Sequence, residues 1–166
     1  MTTPSPLAER LADGAVHVSI DMQRLFAEPG EWHVPTLDAI TANGVALAGA
    51  MPTLFARFVV PHTPEDAEGR WKHYYRRWHM LTGEKLPAGM LDLVAPLAAL
   101  ATPATTFDKP TYSIFKTPAF REALAATGKE VIVVSGVETD VCVLGTVLDA
   151  LDAGYHVVVA TDAMTS

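Results

Sequence analysis

The sequence has very little cysteine: Cys142 is the single one among 166 residues. One thiol cannot form a disulfide within the chain, so the fold has to be stable without covalent cross-links. Disulfides are common in oxidising compartments, so this cysteine content favours a reducing, cytoplasmic location. A free cysteine in such a compartment is either a buried apolar side chain or a reactive thiol.

Positive charge is also scarce, with 12 lysines and arginines against 19 acidic residues and a net charge of −7. Nucleic acids and anionic membranes are bound through basic patches, so we expect neither as a partner. Uncharged apolar runs such as Val131–Val134 and Val157–Ala160 have the length of strands and are too short to cross a membrane. The N-terminal ten residues carry charges of both signs without an apolar centre, so we predict no signal peptide.

The length of 166 residues fits one domain, which buries roughly 68–70% of its unfolded surface. We divide the chain into an N-terminal arm, residues 1–13, and a single domain, residues 14–166. Hydrophobic residues make up 49% of the chain and charged residues only 19%. This balance favours burial of part of the surface between subunits, and we expect a homo-oligomer, either a dimer or a tetramer.

Strand-like and helix-like patterns alternate along the domain. The predicted strands are Ala15–Ile20, Thr53–Val60, Thr105–Phe107, Val131–Val134 and His156–Ala160. The predicted helices are a short one near Leu7–Ala12, followed by Thr36–Met51, Leu86–Leu100, Pro118–Thr127 and Thr139–Ala153. Such alternation predicts an α/β fold of three layers, α/β/α, with a doubly wound, mainly parallel, Rossmann-like sheet.

Three chemically capable side chains follow predicted strands: Asp21, Lys109 and Cys142. Ligands of open α/β sheets bind at the carboxyl ends of the strands, so these residues are expected at one edge. The first turn of a helix capped by Thr139 would hold Cys142 and favour its thiolate. A nearby lysine would lower the thiol pKa further, and a carboxylate could accept the proton.

Each of these residues also has a purely structural interpretation. Cys142 can be a buried core residue, Asp21 a turn cap, and Asp108-Lys109-Pro110 a charged turn. The connection Pro61–Lys85 has no assigned structure but carries four large aromatic residues, at positions 71, 74, 75 and 78. These rings can serve for packing or form the wall of a substrate site.

Four stretches resemble the isochorismatase-like cysteine hydrolases, which include nicotinamidases, N-carbamoylsarcosine amidases, and ureidoacrylate and biuret amidohydrolases. The stretches are VSIDMQRLF (Val18–Phe26), FDKPTYSIF (Phe107–Phe115), SGVETDVCV (Ser135–Val143) and VVVATDAMTS (Val157–Ser166). The third is highly specific, and the lysine motif gains weight from its order between the first and the third. The resemblance extends from about Gly14 onward and implies the isochorismatase-like hydrolase fold.

The resemblance implies catalytic roles by position. Asp21 would be the general base, Lys109 the cation that steadies the thiolate and the transition state, and Cys142 the nucleophile that attacks a carbonyl carbon. The reaction it implies is attack, loss of ammonia or an amine, and hydrolysis of the resulting thioester by water.

The resemblance also implies how the substrate is held. A cis peptide bond is expected between Val137 and Glu138, and the backbone N–H groups of Glu138 and Cys142 would form an oxyanion hole. Phe26 and Trp71 match positions at which family members sandwich a planar substrate.

Two departures from the family pattern are visible. Nicotinamidases carry an Asp-x-His metal motif after the second strand, and the segment from Phe58 to Met80 lacks it. We therefore predict no metal or other cofactor, and nicotinamide is not the expected substrate. Family members usually continue past the TDAMTS match with a helix and often a strand. The flank left beside Val157–Ala160 is expected to be covered by a second copy of the chain.

The leading functional hypothesis is a metal-independent cysteine amidohydrolase acting on a small amide, ureido or carbamoyl compound. One alternative is an isochorismatase-type vinyl-ether hydrolase, which Cys142 disfavours because those enzymes lack the nucleophile. Another alternative is a non-catalytic ligand-binding or interaction protein on the same fold. A papain-like enzyme is disfavoured, because only His156 follows the cysteine, at the start of a predicted buried strand.

Overall fold

A computed structural model describes Leu11 and residues 14–166 of the chain. The predicted arm, with its short helix near Leu7–Ala12, lies outside the described residues except for Leu11.

A five-stranded, fully parallel sheet forms the centre of the fold, with the strand order β3-β2-β1-β4-β5. The strands are β1 Val16–Ile20, β2 Thr53–Phe58, β3 Thr106–Lys109, β4 Val131–Gly136 and β5 His156–Met164. All five predicted strands are present. The third, fourth and fifth extend beyond their predicted ends, so that Lys109 is the last residue of β3 rather than a residue of the following turn.

Six α-helices lie between the strands. They are α1 Arg24–Ala27, α2 Leu37–Ala50, α3 Gly69–Arg77, α4 Ala95–Ala98, α5 Pro118–Ala126 and α6 Leu144–Asp152. None of the helices in the described part of the chain combines the length and the apolar character that crossing a bilayer requires.

The strand order places helices on both faces of the sheet. The chain runs outward from β1 through β2 to β3, then returns to the other side of β1 for β4 and β5. Crossovers between parallel strands are right-handed, so the helices before β3 cover one face and those after it cover the other. The predicted doubly wound α/β/α fold is confirmed. Its topological switch point lies between β1 and β4, where ligands of such folds bind.

Burial decreases from the centre of the sheet toward β5. Every residue of β1 and β4 is buried, as expected for strands covered on both faces. The prediction of a buried last strand is wrong, because most residues of β5 are partly or fully exposed and Val159 is 40% exposed. Among the described strands β5 pairs only with β4, so it forms an edge of the sheet.

The predicted helix Leu86–Leu100 is also wrong, since only the single turn α4 is helical there. Pro87 and Gly89 interrupt the pattern, and Gly89 has a φ of +81° that side chains rarely adopt. The residues just before α4 instead pair with the loop after β1. Leu93 forms an isolated antiparallel β-bridge with Gln23, and the Val94 N–H donates to the Met22 carbonyl. The spacing of apolar residues alone did not distinguish this segment, residues 86–94, from a helix. We refer to it as the strap before α4.

The connection Pro61–Lys85 contains more structure than expected. It holds α3 between two short 3₁₀ turns, Pro64–Asp66 and His79–Leu81. Trp71, Tyr75 and Trp78 recur at helical spacing, and Tyr75 is buried. The aromatic residues are therefore held on a helix next to the sheet.

A buried histidine ties the three central strands together. His17 of β1 lies with Nδ1 3.1 Å from the Thr53 hydroxyl on β2, and Nε2 2.7 Å from the Ser135 hydroxyl on β4. The side chain has no exposed surface, and burial lowers the pKa of His17 to about 4. The imidazole is therefore neutral at physiological pH.

Lowering the pH from 7 to 4 should remove about 3 kcal/mol of the free energy of unfolding through His17. The unfolded histidine binds a proton near its ordinary pKa of 6.5, whereas folded His17 stays neutral down to about 4. This contribution is complete above pH 6.5 and is lost as the pH falls toward 4. Urea unfolding of the wild type and His17→Asn across this range measures it, with exposed His33→Asn as the control. The same pH slope in wild type and His17→Asn would contradict the assignment.

Candidate active site

Asp21 follows β1 directly and is fully buried. Its backbone has a φ of +51°, a left-handed conformation that aspartate tolerates better than most residues. The Asp21 N–H donates to the Ala56 carbonyl of β2, which holds this conformation in place. The turn aims the carboxylate across the carboxyl ends of the neighbouring strands.

Lys109 ends β3, two strands away from β1, and it is also fully buried. Its side chain spans the end of β2, where Nζ lies 4.7 Å from the centre of the Phe58 ring. Nζ donates to Asp21 Oδ2 at 2.7 Å and to the Thr111 carbonyl at 3.2 Å. The ammonium is therefore neutralised by a buried carboxylate and faces an aromatic ring.

Cys142 completes the cluster from the other side of β1. It is buried, and its Sγ lies 3.3 Å from Lys109 Nζ. Carboxylate, ammonium and thiol thus meet at the switch point, although they are far apart in sequence. The structure brings together the three residues that the sequence singled out.

The turn that carries Cys142 differs from the prediction. Residues Thr139–Val143 form one π-helical turn before α6 begins at Leu144, rather than the first turn of a continuous α-helix. Thr139 lies inside this turn and does not cap it; its N–H donates to the Thr165 carbonyl instead. Such π-turns occur often at functional sites.

The ends of β1 and β4 approach each other closely at Gly136. Gly136 has a φ of +117°, and a Cβ there would overlap the carbonyl of Ile20. The Val137 N–H donates to that same carbonyl at 3.0 Å, and the following peptide bond to Glu138 is cis. Only glycine permits this approach, which places the cysteine turn over Asp21.

The electrostatics of the thiol differ from the sequence-based expectation of a lowered pKa. Burial raises the pKa of Cys142 well above its ordinary value, and the neighbouring Asp21 raises it further, while Lys109 acts in the opposite direction. Burial also raises the pKa of Asp21, again opposed by Lys109. The low dielectric around the cluster thus outweighs the attraction of one cation, and the resting thiol is protonated.

A small cavity of about 130 Å³ opens above the thiol. Its lining combines six aromatic residues with the turn that bears the cysteine: Phe26, Trp32, Phe58, Trp71, Tyr74, Tyr112, Glu138, Val141 and Cys142. The predicted substrate-contacting residues, Phe26 and Trp71, both lie in this lining. Phe26 stacks on Trp32, with ring centres 6.2 Å apart and planes 8° from parallel.

Trp32 was missed by the sequence reasoning, although it contacts five other rings of this cluster and its neighbours. It lies outside any helical or strand pattern, in the turn region after α1. Two features of the sequence could have identified Trp32 as a cavity residue: its large aromatic side chain and its position shortly after the end of β1. Phe58 was missed for another reason: it ends a buried strand and reads as a core residue.

The metal site of nicotinamidases is not reproduced by the described residues. The segment from Phe58 to Met80 contains four residues of metal-ligating type, His62, Asp66, His73 and His79, but the described chain contains no cluster of three or more such side chains. Asp66 Oδ2 instead accepts hydrogen bonds from the N–H and the hydroxyl of Thr63, closing a 3₁₀ turn. These side chains therefore do not form a metal site of the nicotinamidase kind.

The family of the chain follows from its match to a family model. The isochorismatase domain model matches residues 15–166, which is nearly the whole chain. The protein belongs to the isochorismatase family. At the level of this family it is a hydrolase. No curated protein matches the sequence closely enough to add to this.

Solved structures share the fold over 92% of this chain. A cysteine hydrolase from Pseudomonas syringae pv. phaseolicola 1448A is 24% identical, with a TM-score of 0.75 and 72% of its own length covered. N-carbamoylsarcosine amidase from Thermoplasma acidophilum is also 24% identical, with a TM-score of 0.68 and 84% covered. An isochorismatase family protein from Desulfovibrio vulgaris is 27% identical, with a TM-score of 0.72 and 82% covered.

The Asp21–Lys109 pair should behave as one buried unit in unfolding experiments. Asp21→Asn or Lys109→Met alone leaves an uncompensated buried charge and should cost about 3–5 kcal/mol of the free energy of unfolding. The double variant should cost clearly less than the sum. Urea unfolding of the four proteins gives the coupling energy.

The exposed pair Arg57–Asp108, one residue from Lys109, provides the matched control cycle. Its coupling should stay below about 1 kcal/mol, because solvent screens it. Additive losses at Asp21 and Lys109, within about 0.5 kcal/mol, would show that the two charges do not depend on each other.

Proposed function

We propose that the protein is a metal-independent amidohydrolase that cleaves the C–N bond of a small amide, ureido or carbamoyl compound through a thioester on Cys142. The observation that carries the proposal is the convergence of three side chains beside one aromatic cavity. Lys109 Nζ lies 2.7 Å from the Asp21 carboxylate and 3.3 Å from the Cys142 thiol. A nucleophile next to both a base and a cation is the arrangement that covalent hydrolysis requires.

The first step is attack of Sγ on the carbonyl carbon. Because burial keeps the thiol protonated, attack is coupled to transfer of its proton to Asp21. The Oδ1 atom of Asp21 is buried and accepts no hydrogen bond from another described residue, which leaves it available for that proton. The raised pKa of Asp21 brings its basicity closer to that of the thiol.

The tetrahedral oxyanion formed by this attack needs hydrogen-bond donors. The N–H of Glu138 donates to none of the described residues, and it lies in the turn that lines the cavity. Together with the N–H of Cys142 it forms the proposed oxyanion hole. Lys109 stabilises the negative charge that develops on sulfur as its proton moves to Asp21.

Collapse of this intermediate breaks the C–N bond. The proton held by Asp21 passes to the leaving nitrogen, which departs as ammonia or an amine, and the acyl group remains on Sγ as a thioester. Water then attacks the thioester carbonyl and gives one proton to Asp21. The carboxylic or carbamic acid leaves, and the proton returns to the thiolate.

The cavity limits the size of the substrate. Its 130 Å³ is close to the roughly 150 Å³ of an engineered protein cavity that holds benzene. The stacked Phe26 and Trp32 rings and the facing Trp71 favour a flat group. The part of the substrate that carries the scissile carbonyl is therefore the size of one small ring.

Self-association remains a prediction, and one helix supports it. Leu144, Leu148 and Leu151 of α6 recur at a helical spacing and are each about half exposed, at 47%, 54% and 53%. An apolar stripe of this kind on a helix is typical of a surface that another molecule covers.

The catalytic roles can be tested by an ammonia-release screen over nicotinamide, pyrazinamide, ureidoacrylate, biuret and N-carbamoylsarcosine. On any accepted substrate, Cys142→Ala should abolish turnover. Asp21→Asn and Lys109→Met should each lower kcat/KM at least about a hundredfold, through loss of proton transfer or charge stabilisation. Lys85→Met, at an exposed lysine, is the control and should keep full activity. A Cys142→Ala protein that still turns over an amide would disprove the mechanism.

Activity should also survive removal of metal ions. The described residues place no family-type ligand set near the cavity, and a metal that activates water needs such a set. Dialysis against EDTA should leave kcat/KM unchanged within about twofold. Loss of activity that added zinc, manganese or iron restores would contradict this part of the proposal.

A further inference from the structure

Glu138 is the one carboxylate in the lining of the small cavity. Its residue follows the cis peptide bond and is partly buried, beside Cys142 and the ring of Tyr74. The proposed mechanism uses only its backbone N–H. Burying a charged side chain even partly costs free energy unless a group of opposite charge or a hydrogen-bond donor pairs with it.

No described residue provides that partner. Hydrogen bonds and ion pairs within the described chain leave the Glu138 carboxylate out. After burial, the charges that raise the pKa of Glu138 are those of Asp140 and Asp21, both of its own sign. The nearest buried cation, Lys109, is already bound to Asp21. The Asp21–Lys109 pair is neutral as a unit, so it leaves the negative charge of Glu138 in the cavity lining uncompensated.

Glu138 lies close to the aromatic wall of the cavity, since it and Tyr74 are both part of the lining. The negative charge of Glu138 contributes to the raised pKa of Tyr74, which burial and neighbouring groups bring to about 12. A ligand that fills the cavity would contact Glu138, which is part of its lining.

The walls favour the same kind of ligand. Six aromatic rings line the cavity, and the faces of such rings carry partial negative charge that attracts cations. Lys109 already uses this interaction at Phe58. A neutral apolar ligand would satisfy the rings but leave the carboxylate unpaired, whereas a small cation satisfies both.

We infer that Glu138 is a specificity-determining residue that pairs with a positive charge on the substrate, so the enzyme acts on small cationic amides. This inference rests on the proposed function for the reaction, and it adds the substrate class. The backbone N–H of Glu138 belongs to the proposed oxyanion hole and would bind the oxygen of the scissile carbonyl. The carboxylate of the same residue can therefore reach only a positive group close to that carbonyl. The positive group is therefore separated from the scissile carbonyl by one or two carbon atoms.

Binding to the Cys142→Ala variant tests the inference without requiring turnover. The probes are betaine amide, a permanent cation, and 3,3-dimethylbutanamide, its neutral isostere with carbon in place of the quaternary nitrogen. Calorimetry should show the cation binding at least tenfold more tightly. Replacing the carboxylate in the same background, as Cys142→Ala/Glu138→Gln, should reduce this ratio of dissociation constants about tenfold or more.

Asp140→Asn is the matched control, since it removes one negative charge from an exposed side chain two residues away. It should leave the ratio within about twofold of the parent, because Asp140 does not line the cavity. A large effect of Asp140→Asn would show that general charge, rather than contact with Glu138, sets the preference, and would overturn the inference.

Ammonia release from both probes by the wild type separates the two proposals. Cation-selective binding without turnover of any amide would refute the amidohydrolase and leave the binding role of Glu138 standing. Turnover of amides with equal or weaker binding of the cation, or with no binding of either probe, would refute the role of Glu138. An unchanged ratio in the Glu138→Gln background would refute it as well.

Discussion

The buried pairing of Lys109 with Asp21 is the contact on which the rest of the site depends. Lys109 ends β3 and Asp21 follows β1, so the lysine side chain crosses the end of β2 beneath the Phe58 ring. Removing both charges from water is expensive, and neither would be tolerated there alone. Their 2.7 Å contact offsets that cost and fixes the positions of the strand ends. The thiol of Cys142 then lies beside a neutral pair and not beside a free charge.

Unusual backbone conformations bring Cys142, the third residue of the cluster, next to Asp21 and Lys109. Gly136 lets β4 pass close to the carbonyl of Ile20, and the left-handed conformation of Asp21 turns its carboxylate inward. The π-turn that follows presents Cys142 to both. Sparsely populated backbone conformations of this kind cluster where function requires a geometry that regular elements cannot provide.

The walls of the cavity come from parts of the fold other than those that hold the cysteine cluster. The cysteine cluster lies at the carboxyl ends of the strands, whereas much of the cavity wall comes from the turn holding Trp32 and from α3. The helix α3 contributes Trp71 and Tyr74 to the wall, and Asp66 accepts hydrogen bonds from Thr63 within its own turn. Among the described residues that line the cavity, only Glu138 carries a charged side chain.

The sequence alone was sufficient for the order of the five strands, and it singled out Asp21, Lys109 and Cys142, which the fold brings together. Apolar runs report burial of a strand, and a sheet with parallel crossovers brings strand ends to one edge. Local pattern failed where tertiary contacts override it: the strap before α4, the partly exposed β5 and the π-turn. Only the tertiary structure decided the surroundings of each charge, because burial and the approach of distant residues determine them. Hence the raised pKa of the thiol, the place of Trp32 in the wall and the isolation of Glu138 became visible only in the folded chain.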